Sequence, residues 1–447
     1  MSTIVPIKGI RYNPEKVSDL SDVVTPPYDV IDAAAQQRYY DKHPYNIIRL
    51  EYGKTYSEDD DVNNRYSRAS ADYKTWLENK VLQPDSKPAL YLYEQEYTVD
   101  GSRKVRSGYI CGIKIEPYEK GVVLPHEETL PKHKADRLSL MKACRANFSP
   151  IFSLYSDPEH LVTHSLKKAA AGLPKSAFTD ENGDSHRLWA ITDPVTIEQV
   201  QGLMADKRIF IADGHHRYET AMNYKLEREK EGPGSQKDDP SYNYVMMTLV
   251  NLYDPGLVVL PTHRLVKNVD PIIINGLMEN MGHNFLLEEF EPEKEIKSIK
   301  KFLSDLYDKG RELSGKSLHR HIFGVYINKK LFFASLRKEE DLPSLMRPDK
   351  SPEWRGLDVS VLHSLIMEKY LGIDKNLLAR GEHITYTREE EGALEAVDRG
   401  EYQIAFFLNP TLVEEVTSVA ANGEKMPQKS TFFYPKLITG LVIKDLT

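Results

Sequence analysis

Cysteine, long apolar runs and an excess of basic charge are what this sequence has least of. Its 447 residues include two cysteines, Cys111 and Cys144, in neither a CxxC pair nor a metal-type cluster. That argues against a secreted disulfide framework and predicts two buried thiols. No stretch approaches the ~20 apolar residues of a spanning helix, and the opening MSTIVPIKGI lacks the basic and apolar regions of a secretory signal. A cytoplasmic protein without a membrane partner is expected. The 59 basic side chains are outnumbered by 67 acidic ones, for a net charge of -8, so the electrostatic footprint of a general nucleic-acid or anionic-membrane binder is missing. Glycine and proline number only 25 and 26, beside 40% hydrophobic and 28% charged residues, a balance that excludes collagen-like, coiled-coil and largely disordered chains. What remains is a globular chain with room, at ~150 residues per domain, for about three units of core or two large domains.

Short apolar runs alternate with helical patterns from end to end, which predicts an α+β or mixed α/β fold. Residues 62–80 read as a helix. The stretch 88–118 reads as two long strands joined at Asp100 and Gly101, a hairpin turn pair. Residues 119–133, rich in Pro, His, Glu and Lys, read as a polar loop ahead of a helix over ADRLSLMKACRA and the strand SPIFSLY. The strand RIFIA leads into DGHHRYETAMNYKLEREKEG, a loop that continues as a helix, and EGPGSQKDDPS reads as an exposed loop. A second series of helices and strands starts near residue 268, with VSVLHSLIMEKYLG as one of its helices. The expected organisation is therefore an N-terminal domain over 1–267 and a C-terminal mixed α/β domain over 268–447.

The sharpest chemistry lies in Arg208 to Ala221, RIFIADGHHRYETA. An apolar strand ends at Ala212 and a polar turn, Asp213-Gly214-His215-His216-Arg217, meets the start of a helix. Unpaired backbone N–H groups and the positive end of the helix dipole favour phosphate at such a place. Gly214 permits close backbone approach, and Arg217 supplies a bidentate fork for an anion. Asp213 is available as a base or metal ligand, and His215 and His216 can titrate or donate near neutral pH. Two other readings stand beside this one: Asp213 as a helix cap above an ordinary surface turn, and a divalent-metal site on Asp213, His215 and His216.

A second cluster, HEETLPKHKADR, gathers His126, Glu127, Glu128, Lys132, His133, Lys134, Asp136 and Arg137. It offers carboxylates for proton transfer and cations for phosphate oxygens, or else it is a solvated charged loop running into a helix. Two islands, VVTPPYDVI (23–31) and PTHRLV (261–266), place Tyr28 and Asp29, and Thr262, His263 and Arg264, at strand ends or in ordinary turns.

These segments, with NIIRLE (46–51), LYEQEY (92–97), HEETLPKHKADRLSLMKACRANFSPIFSLY (126–155), VLPTHRL (259–265), GLDVSVLH (356–363) and GEKMPQKSTFFYPKLITGLV (423–442), resemble the DUF1015 family of bacterial and archaeal proteins over nearly the whole chain. That name is a label for unknown function. The DGHHR turn alone resembles the glycine- and arginine-containing phosphate-binding turn of the ParB and sulfiredoxin superfamily, whose members bind nucleotides and whose free serine kinases carry a closely similar DGHHR. This resemblance implies that residues 1–267 are a catalytic domain with a ParB/sulfiredoxin-like nucleotide-binding core. In it, Asp213, Gly214, His215, His216 and Arg217 would position a nucleotide phosphate and a serine hydroxyl. The chain departs from sulfiredoxin in having His215 where that family places its reactive cysteine, so sulfinic acid reduction there is not supported.

The expected activity is phosphoryl transfer between a nucleotide (ATP or ADP) or phosphate and serine or phosphoserine, with Mg²⁺ as a candidate cofactor. Asp213 would accept the hydroxyl proton or bind magnesium; the Gly214 to His216 backbone and Arg217 would hold phosphate, and His215 or His216 would stabilise developing charge. Glu127 is a further catalytic candidate, and Lys132, Arg137, His263 and Arg264 are further phosphate or nucleotide contacts. No dedicated metal-ligand set is expected. The alternatives are a nucleotide-binding regulatory module that transfers nothing and a phosphoserine phosphatase with water as acceptor.

Overall fold

The computed structural model describes residues 1–99, 101–129, 131–231, 239–291, 298–314 and 321–447. The chain forms two compact units, one made of Met1–Pro125, Thr129–Val258 and Pro435–Thr447, the other of His126–Glu128 and Val259–Tyr434. Both are mixed α and β, as the alternation of apolar runs and helical patterns predicts. The division differs from a single cut at 267/268 in two ways. His263–Val266 pairs with Ile404–Phe407 and Ile384–Thr387 in the second unit's sheet, and the end of the chain returns to the first unit. There Lys444–Asp445 pairs with Ala146–Asn147, and Ile443 exchanges backbone hydrogen bonds of 2.8 and 2.9 Å with Ile10.

The first unit is organised by a nine-stranded mixed sheet in the order Val123–Leu124, Ile209–Asp213, Ile151–Tyr155, Tyr244–Asn251, Ser102–Lys114, Leu90–Val99, Ser185–Ile191 and Ser176–Thr179, with Ile4–Val5 also on Ser102–Lys114. The long hairpin forms where the sequence predicts it. Val99 opposes Ser102 and Gly101 takes φ +70, a left-handed turn conformation that glycine adopts without strain; Asp100 lies outside the described residues. One face buries Leu90, Leu92, Ile113, Ile151, Ile209, Ile211 and Val245 against helices Pro194–Met204 and His215–Lys230. Cys111 and Cys144 are buried and free, as predicted, and burial pushes both thiols up.

Helix Pro131–Cys144 starts within the stretch read as a polar loop. Pro131 explains the earlier start, because a proline in the first turn gives up an N–H that has no intrahelical acceptor. The exposed loop expected over EGPGSQKDDPS falls mainly on 232–238, outside the described residues.

In the second unit six antiparallel strands run in the order Phe285–Glu289, Lys330–Leu336, Ile322–Ile327, Ile404–Phe407, His263–Val266 and Ile384–Thr387. Apolar clusters cover both faces, as alternating buried residues on a two-sided sheet require. The segment read as one helix over VSVLHSLIMEKYLG is a short α-helix, Asp358–Val361, that widens into a π-helix at Leu362–Tyr370; an apolar periodicity does not distinguish the two. No described helix is long and apolar enough to cross a membrane.

Candidate functional site

Strand Ile209–Asp213 ends at a bulge: Ile211 opposes Ser153 and Asp213 opposes Phe152, so one extra residue enters the strand between them. A bulge breaks the in-and-out alternation and re-aims the side chain that follows it. Gly214 then takes φ +98 and ψ 28, and helix His215–Lys230 begins at the next residue. The five-residue turn read from the sequence is thus a single left-handed glycine, with His215, His216 and Arg217 already in the first helical turn.

Gly214 is required for a second reason. A Cβ there would lie 2.9 Å from Nε and Nη2 of Arg217, so the absent side chain is what lets the guanidinium lie against the strand end. Arg217 is 9% exposed and donates from Nη1 to the Pro150 carbonyl at 2.7 Å. Its Nη2 sits 3.7 Å from Asp213 Oδ2. Lys436, delivered by the returning C-terminal segment, donates from Nζ to the same oxygen at 3.2 Å. Burial acts to raise the Asp213 carboxyl, but the charges of Lys436 and Arg217, the Lys436 hydrogen bond and His215 overcome it and hold the group well below the usual carboxylate range. His215 is buried and His216 half-buried.

Beyond Arg217 lies a cavity of about 30 Å³ lined by Glu51, Arg137, Ser149, Thr220 and apolar side chains including Met141 and Phe148. It has room for a water or a hydroxyl group. Glu51 is 4% exposed, accepts a 2.9 Å hydrogen bond from Ser149 Oγ and pairs with Arg137 Nη1 at 3.3 Å. Arg137 also pairs with Asp136 at 2.6 Å and stacks on the Tyr28 ring at 4.1 Å. Burial raises the Glu51 carboxyl by more than Arg137, Arg217 and Ser149 lower it.

Of the residues selected from the sequence, Asp213, Gly214, His215, His216 and Arg217 therefore come together, and Arg137 joins them through the cavity it shares with Arg217. Lys132 lies in helix Pro131–Cys144, but its side chain falls outside the described residues. Glu127, His263 and Arg264 belong to the second unit. There the Glu127 carboxylate accepts the Lys429 backbone N–H at 3.3 Å, His263 Nδ1 accepts the Leu408 N–H at 3.3 Å, and Arg264 donates to the Lys429 carbonyl at 3.1 Å.

Glu51, Ser149 and Lys436 were not selected. Glu51 ends NIIRLE and Ser149 opens SPIFSLY, and the available signal for both was that these segments resemble the family. For Lys436 the only signal was its place in the segment 423–442 that resembles the family. Among the described residues no group of three His, Cys, Asp or Glu side chains converges as a metal cage, so the divalent site read on Asp213, His215 and His216 is not formed by those three alone.

No curated protein matches the chain in sequence. The family described as "Protein of unknown function (DUF1015)" matches residues 4–360. Among solved structures, the chain is similar to a conserved hypothetical protein from Pyrococcus furiosus at 14% identity and TM-score 0.33, covering 73% of this chain and 94% of that one. It is similar to a free serine kinase variant in complex with ADP at 13% identity and TM-score 0.34, covering 70% and 84%. Similarity to a C-terminally truncated SbnI from Staphylococcus aureus stands at 11% identity and TM-score 0.33, covering 73% and 85%.

Proposed function

The chain belongs to the DUF1015 family, and from the geometry of its first unit we propose that it is a phosphoryl-transfer enzyme working between a nucleotide or phosphate and a small hydroxy amino acid, serine or phosphoserine. The observation that carries this reading is the pair of cations gathered at the helix start. One carboxylate, Asp213, faces two cations, Lys436 at 3.2 Å and Arg217 at 3.7 Å, at the start of helix His215–Lys230. Two cations and the helix dipole at one place favour a phosphate. The resemblance of DGHHR to the turn of the free serine kinases supports the same chemistry.

The two acids divide the work by their environments. A general base serves best when its pKa is near the working pH, and Asp213 is held far below that. Asp213 is suited to remain ionised, fixing Lys436 and Arg217 and offering one oxygen to magnesium. A single carboxylate is sufficient there, because Mg²⁺ is commonly held by one or two carboxylates and the substrate's own phosphates; when bound it supplies neutralisation of phosphate charge. Glu51, raised by burial and next to a cavity the size of a hydroxyl group, is the base that takes the proton of the acceptor. This moves the base from Asp213, where the sequence suggested it, to a residue 162 positions earlier, at the end of the short helix Ile48–Glu51.

 

The test is incubation of the purified protein with serine or phosphoserine, with and without ATP, ADP and Mg²⁺, followed by phosphorus NMR. Nucleotide-dependent exchange between serine and phosphoserine is the expected result. Phosphate release from phosphoserine alone would make the protein a phosphatase, and nucleotide binding without turnover in any mixture would make it a regulatory module.

A further inference from the structure

The second unit buries an arginine without a carboxylate. Arg264 is 1% exposed; it donates to the carbonyls of Thr262 and Lys429 and lies 5.3 Å from the centre of the Tyr386 ring. No Asp or Glu among the described residues pairs with it, and its buried Nε has no hydrogen-bond partner. The buried arginines of the first unit's site differ, since Arg137 has Glu51 and Asp136 and Arg217 has Asp213. Burying an uncompensated guanidinium is costly, and a charge so placed is normally paired.

The element packed over it carries two more orphans. Arg264 opposes Phe406 in the sheet and so shares its face, and Phe406 packs in one cluster with Val359, Leu362 and Ile366 of the segment 358–370. On that segment the Ser360 hydroxyl and His363 Nε2 are both buried without partners, three positions apart and therefore on neighbouring parts of one helical face. His363 lies within the field of Arg264, whose charge adds to burial in holding the imidazole down at about 3. The chain is a π-helix from Leu362 to Tyr370, a rare form found frequently at functional sites. Arg264 and His363 also lie in two of the sequence segments, PTHRLV and GLDVSVLH, that the proposed chemistry of the first unit leaves unused.

We propose that this island is a binding site for a compact oxyanion, a carboxylate or a phosphate group, which pairs with Arg264 and accepts hydrogen bonds from Ser360 and His363. The proposal is independent of the phosphoryl-transfer reading of the first unit.

The experiment uses the full chain with carbon-13 at the histidine ring, the His363 signal being identified by its loss in His363→Gln. Sodium phosphate and sodium acetate are titrated separately at constant ionic strength, with chloride as the control. A saturable shift of the His363 signal with phosphate or acetate, absent with chloride, is expected; which of the two acts names the ligand group. Arg264→Met should abolish the shift, and Ser360→Ala should raise its midpoint roughly tenfold, the scale of one hydrogen bond to a charged group. No shift, an equal shift with chloride, or an unchanged response in Arg264→Met would overturn the site. If Arg264→Met does not fold by circular dichroism, an unchanged midpoint in Ser360→Ala overturns it instead. Loss of the response in Arg217→Met would assign it to the first unit and also overturn the proposal.

Discussion

Lys436 Nζ reaches Asp213 Oδ2 at 3.2 Å across 223 positions of sequence. The pair is largely enclosed, with side chains 15% and 17% exposed, so it lies between an exposed ion pair and a fully buried one. Lys436→Met is expected to cost about 1–3 kcal/mol at neutral pH. Asp213 is depressed in the folded state, so its contribution is present above its unfolded value and is lost as pH falls through the folded one. The variant should therefore unfold at a higher pH on acidification, as followed by circular dichroism. An unchanged acid midpoint would show that Lys436 does not hold Asp213 ionised.

Gly214→Ala separates backbone strain from displacement of Arg217. At Gly172, φ is +92 and nothing lies near an added Cβ, whereas at Gly214 the added atom meets the Arg217 guanidinium at 2.9 Å. Both alanines should lose roughly 1–2 kcal/mol to the left-handed conformation. Only Gly214→Ala should also weaken ADP binding, measured by calorimetry. Equal effects of the two variants on binding would remove Arg217 from the phosphate site.

Glu51→Gln should lower turnover by about 10²-fold or more, the usual scale for a general base. Because burial raises the Glu51 carboxyl, the rate of the parent protein should rise with pH on a limb above the ordinary glutamate range. That limb should vanish in the variant, and a limb retained in Glu51→Gln would assign it to another group.

The second unit carries a pH response of its own. His321 Nδ1 lies 2.6 Å from Asp358 Oδ1, and its Nε2 lies 3.6 Å from Glu339. Burial lowers this imidazole, but Asp358, Glu339 and Glu415 more than reverse it, so its pKa is raised. Glu415 is itself pushed up to about 7, chiefly by burial. A raised histidine stabilises fully below its unfolded value of about 6.5 and loses that contribution as pH rises through the folded value; ionisation of a raised glutamate acts in the same direction. Stability should thus fall by about 1–3 kcal/mol, the scale of a hydrogen bond to a charged group, as pH rises above about 6.5. Thermal melts of His321→Gln should show a smaller slope, and an equal slope would rule the imidazole out.

Local pattern made part of this readable in advance. The hairpin around Gly101 and the strand, glycine and helix at Asp213 to Arg217 are set by residues within a few positions of one another, and both form where predicted. Glu51, Arg137 and Ser149 meet only because three separate segments pack together: Arg137 reaches the Glu51 carbonyl across 86 positions, and Ser149 reaches the Glu51 carboxylate across 98. Periodicity and composition carry no information on such meetings. The same limit applies to Lys436, whose segment PKL has no charge cluster or turn to single it out. Glu127, His263 and Arg264 were visible as polar residues beside apolar strands, but their neighbours in the second unit were not.

The return of the last segment to the first unit gives synthesis an order. A ribosome adding roughly 5–20 residues per second needs on the order of 10–45 seconds to travel from Asp213 to Lys436, and it makes nearly all of the second unit on the way. Through that interval the Asp213 carboxylate has Arg217 but no lysine. A nascent chain interrupted anywhere in the second unit can therefore carry the whole DGHHR turn and still lack its second cation, so the turn is completed only by a ribosome that has read past codon 436.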